Sequence, residues 1–529
     1  MTLPSPLRRA LLPVTALALA CALAGPVSGA AAPVDCATAT ALSPAYNSCE
    51  GRNLTITGQN QSRKPDPTPG IIAATQAYQL ARAAALAADP ERQPNPNSCT
   101  TVLLCPIDPR MNDFASRGGI VKPVLYTSRS GATMSGHVWA TVAGPAKRPG
   151  IVIVNGSVVG FEETYWFLAQ SLAKAGFVVM TFDAQGEGMS DQLGEFPDQL
   201  EDALAGTPLL GLIGPRPAQD VFGGNGYPFY DGGQDALDFL LSTPAHPYVP
   251  RPSRTTGTSH AAKQSRRVAA GLDAAYNPLW STLDPTSIGI TGHSYGAEAA
   301  SWLGQADPRI DAVVALDSLC VPVSPAPSEQ SVGYPNPDFS NLPSATYALT
   351  RDCFSTPAGP APWITKPALG IAGDYLLNPV PYLLPPNPLG KSRASLAYTA
   401  AGVDTGQVLV RGGTHLSFTD IPFLVPGSLR AIDMIDWYTT AWFAKYLQNR
   451  PGADAMLLTD RWQHDATTGT LDPVADANLF SWHFRSRLDV AGQGGGRVRC
   501  EDLRTGCGLL VPSSADGWPG EYSIVSATR

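Results

Sequence analysis

The chain has 529 residues, with 36 Lys and Arg against 44 Asp and Glu, for a formal net charge of −8. That mild acidity, with no basic stripe, argues against a nucleic-acid partner. With 44% hydrophobic residues beside 51 Gly and 50 Pro, it reads as a loop-rich globular chain, large enough for one decorated domain or two.

In chain order, residues 1–32 read as a secretory signal peptide, to be removed. Arg8 and Arg9 form a positive start, Ala10 to Gly25 an apolar run, and Ser28-Gly29-Ala30 or Ala30-Ala31-Ala32 a small-residue cleavage site. The apolar run is short and interrupted by Pro13, so no membrane span is expected once it is gone. Nine cysteines less Cys21 in this leader leave eight, an even number suited to an oxidising compartment. The simplest pairing is between neighbours: Cys36 with Cys49, Cys99 with Cys105, Cys320 with Cys353, and Cys500 with Cys507. No paired C-x-x-C and no histidine cluster accompanies them, so no metal is expected on spacing grounds, and the serine chemistry read below needs no cofactor.

Residues 33–118 form an N-terminal extension: a polar, proline-rich loop over Asn60–Gly70, then an alanine-rich helix over Ile71–Ala88. A lid, a cap and packing on the sheet edge are all open roles for it. Val121–Ser128 and Gly136–Val142 read as an antiparallel hairpin turning near Arg129-Ser130-Gly131. From Pro149 the pattern changes to unbroken apolar runs, as in strands buried on both faces. Ile151–Val154 is a strand, Thr164–Ala175 a helix and Phe177–Phe182 the next strand, the βαβ signature of a parallel sheet. Helices follow at Asp231–Leu241 and Ala297–Leu303. Strands follow at Ser287–Thr291, Ala312–Leu316, Ala368–Ala372 and Gln407–Val410, and a long covering helix runs over Leu429–Leu447. The fold class is α/β, with a mostly parallel central sheet flanked by helices.

The chemistry centres on Gly292-His293-Ser294-Tyr295-Gly296, a G-x-S-x-G turn between a strand and a helix. Such a turn holds a serine in a strained conformation, lifts its hydroxyl clear of the sheet and aims a helix N-terminus at it. A serine hydroxyl needs a general base. His415, in the glycine-rich loop after the last strand, is the candidate; His293 is expected to pack inside the turn. A carboxylate must orient that base. Asp374, after a late strand, is first choice, and Asp317, at the end of the strand that follows the serine's, is second. The backbone N–H of Tyr295 and of Ser157 would stabilise an oxyanion, with Gly156 or Val158 as alternatives to Ser157. In an open parallel sheet, ligands bind beyond the carboxyl ends of strands, where these residues lie.

Over residues 119–455 the chain resembles the α/β-hydrolase family, in its secreted esterase, lipase and dienelactone-hydrolase-like branches. The elbow at Ser294, Asn155-Gly156-Ser157, the Gly-rich segment Asp183–Ser190, Gly373-Asp374 and Gly413-Thr414-His415 carry the resemblance, in the family's order of nucleophile, acid and histidine. It implies an α/β-hydrolase fold, a Ser-His-Asp triad and a serine hydrolase acting on carboxylic esters, with a small-molecule or lipid ester as partner. A peptidase of the same fold, or a non-catalytic binding protein built on it, are the alternatives. Two insertions, near 193–228 and 244–284, are expected to shape the pocket. The second carries the basic patch Arg251, Arg254, Lys263, Arg266 and Arg267, and Tyr375–Pro388 is expected to rim the site. Residues 456–529 read as a C-terminal tail packed on this domain, with a short hairpin over Arg497–Leu510 closed by Cys500 and Cys507. The leader and cysteine count together imply a secreted protein.

Overall fold

Alternation within the apolar strands decides how the layers form. In the computed structural model, Ile151 and Ile153 enter one buried cluster, while Val152 and Val154 enter another on the opposite face. A strand buried on both sides needs helices on both sides, and the sheet has them. The structure describes residues 39–51, 69–92, 114–157, 160–191, 227–254, 256–317, 319–322, 353, 361–376, 380–420, 429–458, 480–481, 483–505 and 507. The expected leader, Cys36, Cys99, Cys105, Val158 and nearly all of the first insertion lie outside the described residues.

Among the described residues, ten strands form one sheet: β1 (Gly119–Thr127), β2 (Thr133–Thr141), β3 (Arg148–Val154), β4 (Val178–Phe182), β5 (Leu283–His293), β6 (Ala312–Leu316), β7 (Ala368–Gly373), β8 (Thr405–Val410), β9 (Arg487–Ala491) and β10 (Arg497–Cys500). Their order across the sheet is β1-β2-β4-β3-β5-β6-β7-β8-β9-β10. β4, β3, β5, β6, β7 and β8 are mutually parallel, and antiparallel hairpins close both edges. Helices among the described residues include α1 (Pro69–Ala87), α2 (Trp166–Lys174), α3 (Tyr227–Leu240), α4 (Ala261–Ala269), α5 (Tyr295–Ala306), α6 (Arg393–Ala400), α7 (Leu429–Gln448) and α8 (Ala453–Leu457). Trp166, Leu168 and Leu172 of α2 and Ile435, Trp442 and Phe443 of α7 cover one face. Phe229, Leu237 and Leu240 of α3 and Trp302 and Leu303 of α5 cover the other. No helix among the described residues is long and apolar enough to cross a membrane.

The register aligns the carboxyl ends of the parallel strands. Val154 lies opposite Gly292, His293 opposite Leu316, Leu316 opposite Ile371, and Gly373 opposite Val410. Residues 155–157, 294, 317, 374 and 411–415 therefore leave the sheet along one edge.

Beyond β8 the structure departs from the expected hairpin over 497–510. The hairpin is β9 with β10, and β9 continues the main sheet through Thr405↔Asp489. The run Gly494-Gly495-Gly496 supplies its turn, with Gly495 and Gly496 at φ 92° and 78°. The Cys500–Cys507 disulfide closes the chain just after β10, and Cys320–Cys353 is also bonded.

The N-terminal extension is stapled to this body by charge. Arg82 of α1 pairs with Glu163 at 2.8 Å, and Arg92 with Asp191 at 2.8 Å. Arg267 bonds Asp89 at 2.7 Å and Asp273 at 2.8 Å, while Arg266 reaches Glu91 at 2.9 Å. The rest of the basic patch is likewise engaged by the scaffold: Arg251 by Asp238, Arg254 by Asp231, and Lys263 by the Gly131 carbonyl. It thus fastens the extension and α3; Asp89 and Glu91 stand 178 and 175 residues from Arg267 and Arg266, too remote to be read locally.

Candidate active site

β5 runs straight into α5 through Ser294, at φ 57° and ψ −123°. A residue with a Cβ rarely adopts this conformation, and it persists only where surroundings enforce it. The flanking glycines show the enforcement. A Cβ on Gly292 would stand 2.3 Å from the Gly296 carbonyl oxygen, and one on Gly296 would stand 2.2 Å from that of Val154. The end of β3 passes too close for any side chain. Ser294 donates its N–H to the Leu316 carbonyl at 3.1 Å, and its own carbonyl accepts from Ala297 and Glu298. The serine is thus both the last rung of the sheet and the first acceptor of a helix whose N-terminus faces the hydroxyl.

His415 opens a single 3₁₀ turn, His415–Phe418, held by a reciprocal capping box between Thr414 and Ser417. Its N–H donates to the Leu376 carbonyl. Its Nδ1 meets Asp317 Oδ2 at 2.6 Å. Nδ1–H donates to the carboxylate, which leaves Nε2 as the basic nitrogen. Burial acts to raise the Asp317 carboxyl, but the hydrogen bond and charge of His415, aided by Lys391, hold it below the usual range.

Of the two aspartates, then, the second choice meets the histidine and the first does not. Asp374 is fully buried, and its Oδ2 accepts the Gly412 N–H at 2.8 Å. The reason lies in the path of the loop. Gly413 crosses directly over Gly373, where a Cβ would stand 2.6 Å from the Gly413 carbonyl. The loop leaves β8, passes over the end of β7 and delivers His415 to the end of β6. Asp374 braces the crossing; Asp317 receives the imidazole. Asp317 itself stands at φ 43°, a conformation aspartate tolerates better than most residues.

Two further groups went unforeseen. Lys391, between Asp317 and Asp374 in charge, donates to the Gly373 carbonyl and lies 5.1 Å from the Phe484 ring centre. Burial lowers its pKa, against the pull of both aspartates. Tyr165 connects two loops: its Oη accepts the Gly156 N–H at 3.1 Å and meets His293 Nδ1 at 2.8 Å. His293, expected to pack inside the elbow, is 4% exposed and also bonds, through Nε2, to the His415 carbonyl at 3.0 Å. Burial, then the neighbouring His415, push its pKa well below the usual histidine value. The Gly156 N–H, an alternative to Ser157 as oxyanion donor, is thus taken up by Tyr165, and Val158, the other alternative, lies outside the described residues. Asn155 braces their loop, its Oδ1 accepting from the Ala184 N–H at 3.0 Å.

The Gly-rich segment after β4 serves structure. Asp183 accepts from the Glu162 N–H through Oδ1 and from the Met189 N–H through Oδ2, both at 2.8 Å. Glu162 bonds His137 at 2.8 Å and Thr181 at 2.6 Å. Burial, with Glu163 and Glu162 beside it, pushes the Asp183 carboxyl well up; burial raises Glu163 against the opposing Arg82. The rim is tied down as well. Glu50, in a helical stretch over 44–51, accepts the Tyr382 N–H at 2.7 Å and pairs with His483, while Tyr46 donates to the Tyr382 carbonyl.

Compared with known proteins, the chain matches no family model and no curated protein.

Proposed function

We propose that the chain is a secreted serine hydrolase of the α/β-hydrolase fold that cleaves carboxylic esters through an acyl-enzyme. The observation that carries this reading is the strained Ser294 elbow on β5, with the His415–Asp317 pair at the end of the adjacent β6.

In this mechanism Ser294 Oγ attacks the ester carbonyl carbon as its proton passes to His415 Nε2. The imidazolium is stabilised by Asp317 through Nδ1–H. Negative charge developing on the carbonyl oxygen faces the backbone N–H groups of Ser157 and Tyr295 and the N-terminus of α5. The carbon–oxygen bond to the alcohol breaks, and His415 returns its proton to the departing alkoxide. Water then attacks the acyl-serine by the same route in reverse, releasing the acid and the free serine. No step draws on a cofactor or metal.

The test is hydrolysis of p-nitrophenyl esters from acetyl to palmitoyl, beside peptide anilides, by wild type and Ser294→Ala. Ester turnover lost in the variant supports the reading. Anilide turnover alone would move the assignment to a peptidase. Inert wild type together with failure of a fluorophosphonate to label Ser294 would refute catalysis altogether.

A further inference from the structure

The loop that offers Ser157 and the loop that offers His415 come from β3 and β8, on either side of the serine's strand and not adjacent to one another in the sheet. Nevertheless a continuous line of hydrogen bonds joins them through the interior: Gly156 N, Tyr165 Oη, His293 Nδ1, His293 Nε2, His415 carbonyl. Every donor in this line can be assigned from chemistry. The His415 carbonyl can only accept, so His293 Nε2 carries a proton. A neutral imidazole then has a bare Nδ1, which must accept from Tyr165 Oη–H. The phenol oxygen in turn accepts the Gly156 N–H. The line has one direction and one tautomer, and Gly156, Tyr165 and His293 are buried.

We propose that Tyr165 and His293 are positioning residues that hold the oxyanion loop and the base loop in register across Ser294. The inference rests on the serine-hydrolase reading above. Neither side chain touches the reacting atoms. Tyr165 fixes the direction of the peptide just before Ser157, and so where the next N–H points. His293 fixes the backbone of His415, and so where its ring stands. The His293 and His415 ring centres are 4.5 Å apart, which gives neutrality a second purpose. A charged His293 would oppose formation of the His415 imidazolium during turnover, and would require Tyr165 Oη, which already accepts the Gly156 N–H, to accept from Nδ1 as well. Phe418, 5.9 Å away and nearly parallel, backs the His293 ring on the remaining side.

The experiment uses the full chain, with Tyr165→Phe, His293→Ala and His293→Gln beside wild type. Thermal melting of each variant checks that it folds. Three readouts follow: kcat and KM on a p-nitrophenyl ester, the rate of Ser294 labelling by a fluorophosphonate, and the histidine tautomers by NMR of ¹⁵N-histidine protein. Misplacement of a reacting group by about 1 Å costs about a hundredfold. Tyr165→Phe is therefore expected to lower kcat and the labelling rate together by about ten- to a hundredfold, with KM within about twofold. His293→Ala should lose as much, and His293→Gln, whose amide nitrogen reaches the Nε2 position, should recover most of it. Wild type should show a signal, missing from His293→Gln, of an imidazole protonated on Nε2 alone; Tyr165→Phe should keep that proton, held by the His415 carbonyl, but shift the Nδ1 resonance as its donor is lost. Full kcat and labelling in a folded Tyr165→Phe would overturn the proposal. So would an Nδ1-protonated His293 in wild type, which decides the matter even if the variants do not fold. Labelling and tautomer need no ester. If wild type turned over no ester yet its labelling followed this pattern, the ester reading would fall and the positioning role would stand.

Discussion

Replacing Asp317 by Asn separates the two aspartates by their consequences. In the reaction the His415 ring becomes charged, and Asp317 Oδ2 lies 2.6 Å from its Nδ1. The two charge centres then stand about 4 Å apart, and at an effective dielectric of about 20 their attraction is about 4 kcal/mol. Since about 1.4 kcal/mol is tenfold in rate, the lost charge alone costs about a thousandfold. Asn can also turn its amide donors toward Nδ1 and favour the wrong tautomer, bringing the expected loss in kcat/KM to about 10³–10⁴. Asp374→Asn keeps an amide oxygen for the Gly412 N–H, so only loop placement is disturbed and the loss should stay within about tenfold. The assay is p-nitrophenyl ester hydrolysis by both variants, with circular dichroism to confirm folding. If Asp374→Asn lost three decades while Asp317→Asn remained active, the assignment of the acid to the end of β6 would be wrong.

Other perturbations test the scaffold. Gly296→Ala sets a Cβ against the Val154 carbonyl at 2.2 Å, so it should destabilise by about 2–4 kcal/mol and remove activity with it, as read by thermal melting and ester assay. The Cys320–Cys353 bond closes a separation of 33 residues and anchors the chain three positions after Asp317. Converting both cysteines to Ser should cost about 4 kcal/mol on loop-closure grounds, measurable by denaturant unfolding; an unchanged midpoint would refute this. Arg82→Met removes the cation paired with Glu163, at an expected cost of about 3–5 kcal/mol. Its pH dependence has a definite sign. The raised Glu163 and Asp183 carboxyls retain protons that the unfolded chain has lost above about pH 4, so their contribution falls as pH rises through their folded values. Without Arg82 they rise further, so the gap in melting temperature from wild type should be wider at pH 8 than at pH 5.

The α/β class was legible because β-branched runs such as Ile151–Val154 can be satisfied only between two layers of helix. The turn at Ser294 was legible because its glycines announce a close approach. Which aspartate meets His415 was not: Asp317 and Asp374 each end a buried parallel strand, and locally they look alike. The difference lies in how far the 411–415 loop travels, which is set by Gly413 passing over Gly373. Nor could Tyr165 and His293 be paired, standing 128 residues apart with no local pattern to join them. The basic patch suggested a pocket wall only because Asp89 and Glu91, which neutralise Arg267 and Arg266, lie more than 170 residues earlier. The terminal hairpin was placed by its cysteines, when the nearby triple glycine was the better marker of the turn.

The clasp of Glu50 and Tyr46 on Tyr382 spans 332 and 336 residues, and the same carboxylate holds His483 beyond it. Contacts of such span raise contact order, and high contact order slows folding. Tyr382 follows β7 and His483 follows β8, so these contacts close only after most of the strands have been made. Glu50 acts as a late lock on partners made long after it. A chain shortened before His483 would keep Tyr46 and Glu50 on Tyr382 but leave the buried Glu50 carboxylate without its histidine, weakening the clasp even though every strand from β1 to β8 had been synthesised.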